Sequence, residues 1–325
     1  MVISVGIVGA SGATGTSIVD GLLEDGDFTV VALTRPESVS KPANKALAER
    51  GVEIRAADLK VAASVLANSL RDLDVIVSAI GPTEQLEQIN LATAAKAAGV
   101  KRFIPCGFIT IIPVGGCHIL RDDKEIVYNH IKRLHLPYTI LDVGWWTQLA
   151  LPHLPSGRLD PVRTKYRLPA GQDMPMVGDG NVPSALTDLR DIGRYTSRIL
   201  KDPRTLNKMV FVYNELFTQN QVRDELEQIS GEKIPRSYVI HETLKAGLEE
   251  AEKNLKASGA VPGSSEHYQL SVPKMMAQYQ ISWGIEGHNT PEWAEYLGYI
   301  NSKDLYPDFK YFTFEGLAKE ALARN

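Results

Sequence analysis

Three glycines spaced three residues apart, between an apolar strand-like run and a helical stretch, constrain the fold of this chain most strongly. The order is Val5-Gly6-Ile7-Val8-Gly9-Ala10-Ser11-Gly12-Ala13-Thr14-Gly15. In this context Gly9 permits a tight turn, Gly12 lets backbone N–H groups approach a pyrophosphate, and Gly15 allows the helix to pack closely on a sheet. The pattern predicts a dinucleotide site at the helix N-terminus, and a glycine-rich turn without a ligand is the alternative. The predicted cofactor-binding residues of this loop are Gly9, Ser11, Gly12, Ala13, Thr14 and Gly15.

Strand-like and helical runs alternate over about the first 143 residues, as expected for successive βαβ units. The predicted strands are Val2–Val8, Thr29–Thr34, Val52–Ala57, Val75–Ala79, Arg102–Pro105 and Tyr138–Val143. The predicted helices follow Gly12 and cover Pro42–Arg50, Ala62–Leu70 and Glu84–Ala98. Because parallel crossovers are nearly always right-handed, the alternation predicts an α/β fold with a doubly wound parallel sheet of the Rossmann type.

Prolines interrupt this rhythm beyond Val143 and forbid long regular elements there. They are Pro152, Pro155, Pro161, Pro169, Pro175 and Pro183. Later segments predict a strand over Met209–Tyr213 and helices over Asp188–Leu200, Gln219–Ser230, Glu242–Ala257, Lys274–Trp283 and Thr313–Ala323. We therefore expect an NAD(P)-binding Rossmann domain over residues 1–150. A smaller, mixed α/β substrate-binding region is expected over residues 151–325, partly packed back on that domain.

The second predicted strand ends in Arg35, where an NAD-specific site usually carries an acidic side chain. A guanidinium fork suits a 2′-phosphate, Lys41 and Lys45 follow closely, and no acidic group is expected nearby to repel the phosphate. The sequence therefore predicts NADPH rather than NADH as the cofactor. A solvated arginine at a strand end is the alternative.

The fourth predicted strand ends in small residues at the sheet edge where open α/β sheets hold their ligands. A plain strand-ending turn uses the same residue types. The residues predicted to flank the cofactor here are Ser78, Ala79, Ile80 and Gly81.

Composition narrows the range of partners. The 325 residues carry a formal net charge of −4, which counts against nucleic acid. The only cysteines, Cys106 and Cys117, lack the spacing of a zinc or redox pair, and the histidines form no ligand motif, so neither a disulfide framework nor a metal is predicted. No export segment or membrane-spanning run is recognised. We expect a cytoplasmic protein, a monomer or homodimer, whose partner is a small-molecule substrate.

Taken together, these motifs resemble the isoflavone reductase-like, NmrA-like branch of the atypical short-chain dehydrogenases, and within it proteins of fungal type. The resemblance rests on the glycine loop, on Arg35, on residues 72–81 and 97–105, and on Asp122-Asp123-Lys124. It covers the first 145 residues better than the remainder. It implies an NADPH-dependent reductase that transfers a hydride to a small aromatic or conjugated substrate of secondary metabolism.

The same resemblance implies a role for Lys124. In plant members a lysine at the matching position transfers a proton, so Lys124 is expected to be catalytic and to border the cofactor, with a surface lysine as the alternative. A rival lies on the same predicted helix, because Tyr128 and Lys132 reproduce the Tyr-x-x-x-Lys spacing of the typical short-chain dehydrogenases. Tyr128, one turn after Lys124, is a catalytic candidate under either scheme.

The chain departs from the plant pattern after the fifth strand. Plant reductases have Pro-Ser-Glu-Phe-Gly where this sequence has Pro105-Cys106-Gly107-Phe108-Ile109, which argues against transferring plant substrates to it. Gly107 and Phe108 are predicted to border the cofactor, and Phe108 also the substrate. Trp145 and Trp146 follow the sixth strand and are predicted to form an aromatic substrate wall, with core packing as the alternative.

The sequence leaves two other functions open. One is a redox sensor of the NmrA-like kind, which binds the dinucleotide without turnover and acts through a protein partner. The other is a non-redox isomerase or a structural relic of the fold, since a fold does not dictate its activity. Lys124 favours the enzyme, because such sensors commonly lack a catalytic residue at this position. Trp145 and Trp146 favour it as well, because together with the proline-rich loop they suggest a walled pocket for an organic substrate.

Overall fold

The computed structural model describes residues 2–166, 173–261 and 264–323 of the chain. The strands are β1 (Ile3–Val8), β2 (Phe28–Thr34), β3 (Glu53–Ala56), β4 (Val75–Ser78), β5 (Arg102–Ile104), β6 (Thr139–Asp142), β7 (Trp145–Trp146), β8 (Met176–Val177), β9 (Ser184–Thr187), β10 (Lys208–Phe211), β11 (Glu215–Phe217), β12 (Tyr238–Val239) and β13 (Tyr299–Asn301). The α-helices are α1 (Ala13–Asp25), α2 (Pro42–Glu49), α3 (Ala63–Ser69), α4 (Gln88–Ala98), α5 (Ile119–Arg133), α6 (Thr147–Ala150), α7 (Asp160–Lys165), α8 (Leu189–Lys201), α9 (Gln219–Ser230), α10 (His241–Ser258), α11 (Ser265–Gly284), α12 (Pro291–Tyr296), α13 (Ser302–Leu305) and α14 (Phe314–Ala323). The first six strands agree with their predicted bounds to within one residue at each end.

The chain divides into two compact units, and each contains several segments of the chain. The first comprises Met1–Phe108, Leu120–Asp142 and Arg190–Val210, and the second comprises Ile109–Ile119, Val143–Leu189 and Phe211–Asn325. The sequence pattern suggests one boundary near residue 150. Such a pattern does not reveal that a late helix, α8, returns to the first unit.

The first unit is built on a parallel sheet with the strand order β3-β2-β1-β4-β5. Val5 of β1 lies opposite Val30 of β2 on one side and Val75 of β4 on the other. A bridge between Phe103 and Tyr138 brings the start of β6 alongside β5, and β10 lies next to β6. The strand order changes direction between β1 and β4, which is the switch point where open α/β sheets hold ligands. The predicted doubly wound Rossmann sheet is confirmed.

Two helices of the first unit cross so closely that the contact has no room for a side chain. A Cβ on Gly21 of α1 would lie 2.2 Å from the carbonyl carbon of Gly193 in α8, and a Cβ on Gly193 would lie 1.7 Å from the carbonyl oxygen of Ser17. The Gly193 N–H also donates a hydrogen bond of 3.0 Å to the Ser17 hydroxyl. This backbone contact holds the late helix α8 in the first unit.

The second unit contains two small sheets and most of the later helices. β9 lies between antiparallel β11 and parallel β7, and β8 pairs in parallel with β12. Its buried core includes Leu151, Leu186, Leu226, Phe314 and Leu317. No helix within the described ranges is both long and apolar enough to cross a membrane.

The proline-rich stretch contains only short elements in its described part, as expected. α7 has six residues, β8 has two and β9 has four, while Pro169 lies outside the described residues. Helix α11 differs from its prediction, because it begins at Ser265 rather than Lys274 and continues through Pro273. A proline removes one helical N–H donor, but α11 continues on both sides of Pro273. The helix packs against α10.

Gly21→Ala should lower the free energy of unfolding by about 1–3 kcal/mol, because the new methyl group forces α1 away from α8. Chemical denaturation followed by circular dichroism measures the change. Gly247→Ala is the matched control, since Gly247 lies in α10 with no atom within 4 Å of an added Cβ, and alanine favours a helix over glycine. Equal stabilities for Gly21→Ala and the unmodified protein would show that the crossing adjusts freely.

Candidate functional site

The glycine loop after β1 leaves no room for side chains at two of its glycines. Gly9 has a φ of 81°, in the left-handed region, and a Cβ there would lie 2.4 Å from the Ala79 carbonyl oxygen. A Cβ on Gly15 would lie 2.0 Å from the Gly9 carbonyl oxygen. The Gly12 N–H donates a hydrogen bond of 3.0 Å to that same oxygen and closes the turn. The loop therefore requires glycine at Gly9 and Gly15 to bring α1 up to the sheet.

The N-terminus of α1 is open to a ligand. Gly12 is its N-cap residue, no side chain caps the helix, and the first turn contains no acidic residue. Ser11, Gly12 and Ala13 are exposed. The first N–H groups of a helix lack partners within it and carry a partial positive charge, so this end of α1 suits a phosphate.

A groove of about 470 Å³ in the first unit runs along this loop. The predicted cofactor residues that line it are Gly9, Ser11, Gly12, Arg35, Ala79, Ile80 and Gly81. Ala13 and Thr14 belong to the first turn of α1, and Gly15 and Ser78 are buried. The sequence motifs thus converge on one edge of the sheet.

The end of β2 supplies positive charge to this groove, but acidic groups accompany it. Arg35 lies 3.5 Å from Glu37 and 3.6 Å from Glu84, so the expectation that no acidic group is near is wrong. Glu84 is distant in sequence and reaches Arg35 only through the fold. The Arg35 side chain is 60% exposed, and exposed ion pairs of this length contribute little stability. Lys41 also lines the groove and forms no ion pair with any residue that the structure describes.

Lys124 is buried within the first unit, where its amine is bound by neutral acceptors. Its Nζ donates hydrogen bonds of 2.6 Å to the Cys106 carbonyl and 3.1 Å to Gln85 Oε1, and it lies 3.9 Å from the Cys106 sulfur. The side chain is only 4% exposed, so Lys124 is not a surface lysine. Among the described residues, no carboxylate forms an ion pair with it.

Two glutamines missed by the sequence analysis hold this amine in place. Gln88 Nε2 donates to Gln85 Oε1 at 3.2 Å, and Gln88 Oε1 accepts the Cys106 N–H at 2.7 Å. Gln85 Nε2 donates to the Gly81 carbonyl at 3.2 Å. The only sequence signal was their i, i+3 spacing in a segment predicted to be helical. The amides link Lys124 to the end of the β4 segment.

The same helix contains a second buried cation, Arg121, with a different environment. Its guanidinium lies 3.1 Å from Asp142 at the end of β6 and 2.6 Å from Glu125. It also lies 5.5 Å from the centre of the Tyr128 ring, which is almost fully buried. Lys132, the partner that the Tyr-x-x-x-Lys scheme needs, is exposed. The buried ion pair therefore fixes α5, while Lys124 and Tyr128 lie one turn apart on it.

The departure from the plant pattern after β5 has a steric reason. A Cβ on Gly107 would lie 2.6 Å from the Leu141 carbonyl oxygen, so this backbone has no room for the glutamate of the plant sequences. Phe108 has a φ of 50°, which is uncommon for a bulky residue, and its N–H donates to Leu141 at 2.7 Å. Both residues are buried, and neither lines the groove of the first unit.

The second unit contains a mainly apolar cavity of about 360 Å³. Trp145 lines it, whereas Trp146, the next residue in β7, does not. Alternation along a strand accounts for this difference. Arg223 also lines the cavity, and burial lowers the pKa of its guanidinium, an effect that the nearby Asp173 opposes. Among the described residues, no cluster of three or more His, Cys, Asp or Glu side chains is arranged to hold a metal ion.

Residues 3–316 match the NmrA-like family. The chain belongs to the NmrA-like family. This NmrA-like protein is 47% identical to an asnovolin J 5′,6′-dehydrogenase of Aspergillus novofumigatus. The alignment spans 323 residues and covers 98% of this chain and 95% of the relative. It is 26% identical over 324 residues to an isoflavone reductase-like protein of Olea europaea, with 95% of each chain covered.

A solved structure has the same fold as this NmrA-like protein. The binary complex of leucoanthocyanidin reductase with NADPH from Vitis vinifera matches it with a TM-score of 0.77 at 23% identity, covering 98% of this chain and 99% of that chain. Its bound cofactor is the one that the sequence predicts here. The relatives confirm the predicted family and the predicted oxidoreductase class.

Gly12→Val should abolish dinucleotide binding and leave the protein folded. Gly12 has a φ of −78°, and an added Cβ meets only the Gly9 carbonyl oxygen at 3.3 Å, so the fold tolerates a side chain that would fill the phosphate position. Fluorescence titration with NADPH and thermal unfolding measure the two properties. Gly15→Val is the contrasting variant and should unfold the unit. Unchanged NADPH affinity in folded Gly12→Val would exclude this loop as the phosphate site.

Proposed function

We propose that this chain is an NADPH-dependent reductase that transfers a hydride to a small apolar, conjugated or aromatic substrate, with Lys124 handling the proton. The observation that carries the proposal is the groove at the glycine loop, whose lining includes Gly12 at the uncapped end of α1 together with Arg35 and Lys41. The family relatives support the same class of reaction.

The residues present fit a dinucleotide. A side chain at Gly9 or Gly15 would collide with backbone, so these glycines let the loop and the uncapped start of α1 lie close to the ends of β1 and β4. The pyrophosphate would lie at the N-terminus of α1, and the small residues Ala79, Ile80 and Gly81 would border the cofactor along the end of β4.

Three side chains would hold the 2′-phosphate that distinguishes NADPH. Arg35 and Lys41 are cationic, and the Ser38 hydroxyl, which also lines the groove, is buried without a hydrogen-bond partner. Phosphate contacts with Arg35 would replace two long and exposed ion pairs, which cost little to break. Ser38 would gain the partner that its hydroxyl lacks.

Bound NADPH supplies a hydride, and the chain supplies orientation and a proton. Lys124 suits the proton step because its amine is held at 2.6 Å and 3.1 Å by two neutral oxygens, while its third donor has only the Cys106 sulfur at 3.9 Å, a weak acceptor that a substrate oxygen would replace. Gln85 and Gln88 position this amine through their side-chain amides. Phe108, Trp145 and Trp146 remain the proposed substrate contacts, with Trp145 supported by its position in the cavity of the second unit.

Arg35→Ala and Lys41→Ala should each weaken NADPH binding by about tenfold or more and leave NADH binding nearly unchanged, because a charge-assisted phosphate contact contributes roughly 1.5–3 kcal/mol. Titrations of both cofactors with each variant measure this selectivity. Lys45→Ala is the control, since Lys45 is exposed and does not line the groove. Equal losses for both cofactors, or losses for neither, would exclude a 2′-phosphate site here.

Lys124→Met should lower kcat by about 10²-fold or more with NADPH affinity nearly unchanged, because a positioned proton transfer typically contributes that much. A screen of conjugated aromatic compounds with NADPH, and of their reduced forms with NADP⁺, first identifies a substrate and the direction of turnover. Stopped-flow or steady-state absorbance of NADPH then gives kcat and KM.

Tyr128→Phe and Lys132→Ala are the comparison variants, and both should have smaller effects. A larger loss in either one would favour the Tyr-x-x-x-Lys mechanism over Lys124. NADPH binding without turnover of any compound would favour a redox sensor over an enzyme.

A further inference from the structure

The cavity of the second unit has walls that suit an apolar molecule. Leu186, Phe217 and Met276 line it together with Trp145 and Trp283. The ring centres of Trp145 and Trp283 lie 6.2 Å apart, and the Tyr279 ring packs edge-on against Trp145 with 5.4 Å between the ring centres. The two tryptophans therefore belong to a connected set of rings. At about 360 Å³, this space matches a small organic ligand.

Arg223 is one of three charged side chains among these mainly apolar walls. Arg223 of α9 lines the cavity and is only 6% exposed, and its Nε is buried without a hydrogen-bond partner. The nearest carboxylate, that of Asp173, lies 3.6 Å from Arg223 Nη2, which is beyond hydrogen-bond distance. A guanidinium has five donors, and leaving the buried Nε–H without an acceptor is costly.

Asp173 is engaged more closely by other groups. Its Oδ1 lies 2.9 Å from Arg163 Nη1 and accepts the His153 N–H at 2.7 Å. The charged side chains that line the cavity are two arginines and one aspartate, Arg163, Arg223 and Asp173, so the described lining carries an excess positive charge. The surroundings therefore favour an anionic oxygen beside Arg223.

We propose that this cavity binds an apolar organic molecule carrying a carboxylate, which pairs with Arg223 while the apolar body packs against Trp145 and Trp283. Arginine forms two parallel hydrogen bonds with a carboxylate, and the apolar walls strengthen that pairing by excluding water. The binding site stands on the geometry of the second unit. Its identification as the substrate site rests on the proposed function.

A matched pair of probes tests the site on the full chain. The probes are 4-cyclohexylbutyrate and 4-cyclohexyl-1-butanol, which share the apolar body and differ in the charged group. Isothermal titration calorimetry should give a dissociation constant about tenfold or more lower for the carboxylate. Tryptophan emission should shift on binding, because two of the four tryptophans line the cavity.

Variants then assign the preference to Arg223. Arg223→Met should remove the preference for the carboxylate and leave alcohol binding unchanged, and Trp283→Ala should weaken both probes. Arg158→Met is the control, because Arg158 pairs with Glu232 outside the cavity and should keep the wild-type preference. The wild-type comparison of the two probes decides the proposal even where Arg223→Met fails to fold.

Equal affinity for the two probes, or binding of neither, would overturn the proposal and mean that Asp173 satisfies Arg223 electrostatically. A carboxylate preference that persists in Arg223→Met would overturn it as well. NADPH titrations run in parallel separate this result from the proposed function. Failure of NADPH to bind contradicts the reductase, whereas failure of the carboxylate preference contradicts only this site.

Discussion

Close approach of backbone to backbone is the constraint on which the first unit depends. At the start of α1 the missing side chain of Gly15 lets the helix lie against the Gly9 carbonyl, and farther along α1 Gly21 meets Gly193 of α8. Contacts of this kind leave no flexible side chain to absorb a shift, so α1 has a fixed position on the sheet. Its uncapped end is thereby held at the edge where β1 and β4 finish, and the groove along the loop follows from that position.

Helix α5 contains two buried cations, one paired with carboxylates and the other bound by neutral oxygens. This difference indicates which of the two suits the proposed proton transfer. Arg121 is neutralised by Asp142 and Glu125, which suits an anchor between the helix and the end of β6. Lys124, three residues later, is bound by the dipoles of a backbone carbonyl and of Gln85. An amine held by dipoles has a defined position without forming an ion pair, and that arrangement suits the proton transfer we propose.

The groove of the first unit and the cavity of the second unit differ in the chemistry of their lining. The groove of the first unit is lined by charged and polar groups beside the uncapped end of α1, whose N–H groups suit a pyrophosphate. The cavity of the second unit is largely apolar, with Arg223 as a buried cation whose nearest carboxylate, that of Asp173, lies 3.6 Å away. The polar lining of the groove suits a cofactor and the apolar lining of the cavity suits an organic molecule, the two kinds of ligand that the proposed reaction needs.

The amino-acid sequence by itself determined the features that depend on neighbours along the chain. The glycine loop, the six strands of the first 143 residues and helix α9 were predictable because turns, alternation and caps are local. The observed bounds of α9 equal the predicted ones, since Thr218 and Gln221 form a capping box and Gly231 ends the helix. Only the tertiary structure decided which distant groups meet. It brought Glu84 to Arg35 and Gln85 to Lys124, and left Arg223 without a hydrogen-bonded carboxylate. These contacts join residues far apart in sequence, and their distances are set by how helices and strands pack, which no local pattern encodes.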